Sequence, residues 1–192
     1  MIDNNHEKTF VVKMAIYGNK ENELLRFLSI IIDDENQSLS FDNFIAIPPE
    51  SMMVVHNPIL YLLEWRLKNW GVAHDCGEIS KNVRNTEYLF HTKKHRYVEY
   101  LQYTCLFNVP IKFFLEVSKH FSNLIFEMVF MRNDLNVCGK VKMENGEIIE
   151  KNVINQIDQN VIDTFFIASY IYDENYTNAG FSKILETLAV FR

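Results

Sequence analysis

Apolar side chains recur at every second position from Thr9 to Tyr17. Phe10, Val12, Met14 and Ile16 share one side, and the segment predicts a first strand. Gly18-Asn19 breaks it. Asn19 is placed to cap a helix whose first turn carries Glu21 and Glu23, the charge sign that suits a helix start. Leu24, Phe27, Leu28 and Ile31 form the apolar stripe of that helix. Asp33 to Ser40 is polar and predicts a loop, and Phe41 to Ile47 predicts a second extended run, halted by Pro48-Pro49. Pro58 opens a second helix at the one helical position where a missing N–H does no harm. Ile59, Leu62, Leu63, Leu67 and Trp70 recur there at helical spacing and mark its expected buried face. Gly71 supplies the left-handed backbone that commonly ends such a helix.

Further along, a short strand is expected around Tyr88-Leu89-Phe90, a solvated turn at Lys93-Lys94-His95-Arg96, and a long β-rich run from Tyr97 to Phe107. Asn108-Val109-Pro110 starts a third helix with Phe114, Val117 and Phe121 on one face. Ile125 to Arg132 and Val137 to Met143 read as strands joined by a turn at Asn133–Asn136. Glu144-Asn145-Gly146-Glu147 carries the strongest short hairpin signal and leads into Ile148-Ile149. Helical spacing returns weakly from Asp158 to Tyr172 and clearly at Phe181, Ile184, Leu185, Leu188 and Phe191. This order predicts an α+β fold, an antiparallel sheet with helices packed on one face, with the ferredoxin-like arrangement as the nearest named solution. One domain is expected over residues 1–153, with a C-terminal helical extension over 154–192 packed on the same body.

Three stretches, taken in order, resemble the YubB ferredoxin-like family of phage, plasmid and mobile-element proteins. The first is Phe41-Asp42-Asn43-Phe44-Ile45-Ala46-Ile47-Pro48, similar to that family's strand with an Ile-Pro-Met-Pro type of stop, although Ala46 stands where proline is usual. The second is Asn69-Trp70-Gly71-Val72-Ala73-His74-Asp75, similar to the family's Asn-Trp-Gly-Thr-Lys-Trp-Asn/Asp. The third is Tyr103-Thr104-Cys105 running to Pro110 and a helix, then a strand pair containing Cys138-Gly139. Val72-Ala73-His74 replace Thr-Lys-Trp, and Leu106 stands where a Trp is expected. The resemblance covers about residues 9–150. It implies the fold and a mobile-element origin, and brings no established reaction.

Composition changes this picture in two ways. A chain of 192 residues, 48% apolar and with fifteen Phe and nine Tyr, has material for one sizeable aromatic core. A net charge of −6 argues against a nucleic-acid-binding body and suits a soluble protein that meets a basic partner. Cys76, Cys105 and Cys138 lie far apart, an odd number at unpaired spacing, and read as reduced thiols in a cytosolic protein. The N-terminus has the features of no secretory leader, and no stretch approaches the ~20 apolar residues of a membrane span. A cytoplasmic location is expected, that of the host cell if phage-encoded.

Reactive chemistry is thinly represented. His74 and Cys76 could pair a thiolate with an imidazole base, but no oxyanion donors are placed and Asp75 would face the opposite way. The ordinary explanation is that Asp75 caps backbone groups while His74 fills the space of the family's Trp. His91 and His95 with His74 and Cys76 could form a zinc site only if His91 to His95 were helical, and that stretch reads as strand and turn. No phosphate loop, zinc-protease or serine-hydrolase motif occurs. No catalytic residue, metal or cofactor is assigned.

The expected function is therefore protein binding without catalysis, in a mobile-element accessory protein whose target class is a host-defence component such as a nuclease. Trp65, one step out of phase with its helix's apolar stripe, is a candidate interface anchor, and Trp70, His74 and Asp75 form the adjoining motif. Asp33, Asp34 and Glu35, with Asp173 and Glu174, are the acidic candidates for blocking a basic channel. The runner-up is a nucleic-acid-binding regulator using Lys93, Lys94 and Arg96 beside sheet aromatics. The aromatic C-terminal segment either covers the open sheet face or offers an apolar patch to a partner or a second copy.

Overall fold

The computed structural model describes residues 9–33, 35, 38–49, 58–81, 90, 92, 94–132 and 137–155. Asp34, the expected strand at 88–89, His91, Lys93, the turn at 133–136 and everything from 156 on, including Asp173 and Glu174, lie outside them.

The alternation in Thr9–Gly18 produces the central strand, β1. Helix α1 (Glu21–Ile31) follows, then two-residue strands β2 (Ile32–Asp33) and β3 (Ser38–Leu39), helix α2 (Pro58–Asn69) and strand β4 (Gly77–Lys81). Strand β5 (Tyr97–Leu106), helix α3 (Ile111–His120) and strands β6 (Leu124–Arg132), β7 (Val137–Glu144) and β8 (Glu147–Asn155) complete the described chain. Six strands form one sheet in the order β4-β5-β1-β6-β7-β8, antiparallel throughout. β5 and β6 flank β1 and are joined through α3, so the connection steps over the central strand.

Phe10, Val12, Met14 and Ile16 face the helices and share a core with Leu24, Phe27 and Ile31 of α1 and Phe113, Phe114 and Val117 of α3. Phe126 is the centre of this layer, edge-on to Phe27 at 5.2 Å and tilted against Phe114 at 6.0 Å. Such ring contacts add about 0.5–1.5 kcal/mol each beyond area burial. The expected Asn-Gly hairpin forms between β7 and β8, with positive φ at both Asn145 and Gly146, the pairing a tight antiparallel reversal requires.

Four expectations are corrected. Lys20, not Asn19, holds the cap position of α1, and no side-chain cap bond is made there. Phe41 to Ile47 is no strand. The N–H groups of Phe44 and Ile45 both donate back to the Phe41 carbonyl, at 3.1 and 2.9 Å, and the Asp42 carboxylate accepts the Ile47 N–H. A short acidic side chain bonding its own backbone competes with a ladder, and here it wins. The polar stretch after Asp33 is not all loop, because β2 and β3 pair within it. Cys76 and Cys105 are joined as a disulfide, since pairing of Gly77 with Thr104 sets the cysteines opposite each other with Cα atoms 4.8 Å apart. Cys138 is free and buried.

The other side of the sheet is also buried. Ala15, Tyr17, Phe90, Val129, Met131 and Cys138 form a second cluster there. Among the described residues no helix is long and apolar enough to cross a membrane.

Candidate functional site

The motif at the end of α2 is a structural junction. The N–H groups of Trp70 and Gly71 both donate to the Arg66 carbonyl, at 2.7 and 3.2 Å, and Gly71 then turns the chain at φ +82°. Trp70 is fully buried, donates its indole N–H to the Ile45 carbonyl at 3.1 Å, and stands edge-on to Phe41 at 5.7 Å. Its own carbonyl accepts the Phe113 N–H at 3.2 Å, which ties the end of α2 to the start of α3. Asp75 accepts the Phe41 N–H at 3.0 Å, the backbone-capping part expected of it. Partial burial raises its pKa above the ordinary carboxylate value, opposed by the Phe41 N–H and the Arg66 guanidinium. His74 is exposed, so it does not fill the space of a core aromatic.

The orientation of α2 differs from the expected one. None of its residues is buried, and Ile59 and Leu67, expected inside, are 73% and 41% exposed. Ile59, Leu63 and Leu67 share one side at four-residue spacing, whereas Trp65 and Asn69 lie on the opposite side. Trp65 is the side chain that turns inward, edge-on to Trp70 at 5.7 Å, and Arg66 lies over the Trp70 ring at 5.1 Å. The pull of an aromatic pair and a cation–π contact thus rotates the helix, leaving its aliphatic stripe facing out.

At the C-terminal end of α2, round the helix from this stripe, lies a trough of about 660 Å³, walled by Phe44 and Ile45 of the 41–47 turn, Lys68 and Asn69 at the end of α2, and Lys112, Glu116 and His120 on the outer side of α3. Lys112 donates to the Leu67 carbonyl at 3.5 Å, and Asn69 donates to the Trp65 carbonyl at 2.8 Å. Glu116 is paired with Lys119 at 2.5 Å, with the His120 ring nitrogen 3.8 Å away. The His120 ring stands edge-on to Phe44 at 5.4 Å.

The remaining candidates are dispersed. The Asp33 carboxylate accepts the Glu35 N–H at 3.1 Å, a local turn bond. Lys94 and Arg96 are exposed ahead of β5, with Arg96 lying over the Tyr97 ring at 5.2 Å. His95 packs on Tyr17 at 4.6 Å, on the sheet side away from the helices. Cys76 belongs to the core on the helix side and is bonded to Cys105, which dissolves both the thiolate pair and the zinc set. Among the described residues no three His, Cys, Asp or Glu side chains converge as a metal site.

One cluster escaped the sequence reading. On the second sheet side, the Tyr17 hydroxyl donates to Glu127 at 2.7 Å, and the Lys140 ammonium lies 2.7 Å from the other Glu127 oxygen and 3.7 Å from Glu150. Lys142 stands 5.6 Å above the Tyr17 ring, and Lys13 is buried on the same side of the sheet. Burial, then the Glu127 carboxylate, raises the Tyr17 pKa well above the ordinary phenol value, so its hydroxyl stays a donor. The signal was available: charged residues at alternate positions of otherwise apolar strands, as in Ile125-Phe126-Glu127-Met128-Val129. Compared with known protein families, curated proteins and solved structures, the chain matches none.

Proposed function

We propose that this protein acts by binding another protein, without chemistry of its own, through the outward side of α2. One observation carries the reading: a 12-residue helix with no buried residue displays Ile59 and Leu67 to solvent while its tryptophan faces the core. Large apolar side chains held out to solvent on one helix mark a contact surface. On this reading the strand order β4-β5-β1-β6 is a ferredoxin-like core, with β7 and β8 added at one edge. The family resemblance then makes it a mobile-element accessory protein in the host cytoplasm, and a host-defence component, such as a nuclease, the target class for inhibition.

The test is capture from host lysate with the wild-type chain and with Ile59→Asp/Leu67→Asp in parallel. A protein retained by the first and lost by the second supports the reading; equal retention by both refutes it. A second reading, nucleic-acid binding, is favoured by exposed Lys94 and by Arg96 stacked on Tyr97. It predicts a gel shift with single-stranded oligonucleotide that Lys94→Glu/Arg96→Glu abolishes.

A further inference from the structure

We infer that the trough beside α2 receives an acidic stretch of the partner protein, an inference that rests on the reading of α2 as a contact surface. The charge balance points that way. Lys68 and Lys112 stand at the α2 end of the trough, and among the described residues neither has a carboxylate partner. The one carboxylate in the lining, Glu116, is already neutralised by Lys119. A chain of net charge −6 therefore presents a local positive basin where its aliphatic stripe ends.

The geometry selects a carboxylate-bearing peptide over a nucleic acid. Phe44 is already in ring contact with Phe113, His120 and Phe121, so a stacked base would compete with contacts inside the fold. A phosphate backbone would also run past Glu116 and onto an acidic body. A peptide can place an apolar side chain against Phe44 and Ile45 and a carboxylate beside Lys68 or Lys112, each contact local. Charge-assisted hydrogen bonds to ammonium groups are among the stronger polar contacts, and the junction of α2 and α3 brings both lysines into the lining of one trough.

The experiment is a titration of the full-length, ¹⁵N-labelled chain with a blocked hexapeptide of alternating Glu and Leu. Its Lys-Leu counterpart, inorganic phosphate and a thymidine oligonucleotide serve as the other arms. The expected result is saturable shifts confined to amides of residues 44–45, 67–69 and 112–120, with the Glu-Leu peptide alone. Lys68→Glu/Lys112→Glu should weaken binding at least about tenfold, roughly the worth of one lost charge-assisted contact, while Lys151→Glu on β8 leaves it unchanged. Well-dispersed amide peaks certify that each variant is folded. The inference is overturned by no shift up to about 5 mM peptide, by equal binding to the double variant, or by saturation with phosphate or oligonucleotide at lower concentration. Loss of partner capture in Ile59→Asp/Leu67→Asp with a negative titration sinks the trough and keeps the α2 surface; the reverse pattern sinks the surface and keeps the trough.

Discussion

Removing the charge of Glu127 by Glu127→Gln tests whether the second sheet side is truly dry. The carboxylate is fully buried, and it holds Lys140, itself 6% exposed, at 2.7 Å. Breaking a buried pair by neutralising one partner typically costs about 3–5 kcal/mol, because the surviving charge is left in low dielectric. Two features set the value here. Glu150 lies 3.7 Å from Lys140 and is part-exposed, so it retains some compensation. The glutamine carbonyl can still accept from Tyr17, so that hydrogen bond survives. The lower end, about 3 kcal/mol, follows, or roughly 6–12 °C in Tm for a chain of this size. Lys140→Met should cost a similar amount, and Glu127→Gln/Lys140→Met should fall short of the sum by about 1–3 kcal/mol, since no unpaired charge remains. Urea unfolding, followed by far-UV circular dichroism and tryptophan fluorescence together, measures all four proteins and checks two-state behaviour. A single-variant loss under about 1 kcal/mol, or additivity within about 0.5 kcal/mol, would show the pair to be hydrated and the argument unsound.

Thiol titration of protein purified without reductant should find no reactive group in the native chain, one on denaturation and three after reduction, from the Cys76–Cys105 bond and buried Cys138, whose thiol pKa burial pushes up to about 12. A fast-reacting native thiol would contradict that. Asp75 has a raised folded pKa, so the fold binds its proton more tightly than the unfolded chain does. Its contribution to stability is full below the ordinary Asp value near 3.9 and disappears as pH climbs through the raised value. Urea midpoints should therefore show wild type gaining on Asp75→Asn between about pH 7 and pH 4; a gain toward neutral pH is the opposite sign. Ile59→Asp and Leu67→Asp should each change stability by no more than about 0.5 kcal/mol, as surface positions do, whereas Trp70→Ala should lose about 3–5 kcal/mol.

Much of the fold was legible in the chain. The β1 alternation, the stripes of α1 and α3 and the Asn145-Gly146 reversal all follow from local chemistry, and the α+β class follows from their order. What failed was whatever depended on partners distant in sequence. Periodicity found α2 but chose the wrong side, because Trp65, Arg66 and Trp70 decide its rotation through contacts that hydropathy does not weigh. The cysteine pairing depends on the register between β4 and β5, which residue spacing does not encode. Lys13 and Glu127 look solvated in a strand read alone; only the neighbouring strands reveal them as buried. Of the candidate site, the phase of Trp65 is legible in the sequence, but its direction is not: it packs inward on Trp70 while Ile59 and Leu67 face solvent. The trough residues Lys68, Lys112 and His120 come from two helices and carried no joint signal.

The way α2 is fastened also sets how it meets another molecule. Trp65, Arg66 and Trp70 clamp its C-terminal end, and Pro58 and Ile59 are exposed at the other. Among the described residues, the ring, cation–π and indole contacts of α2 gather at that C-terminal end. On the proposed reading, a partner that reaches Leu67 meets a shape already built by the fold, and its grip there needs no rearrangement of the helix.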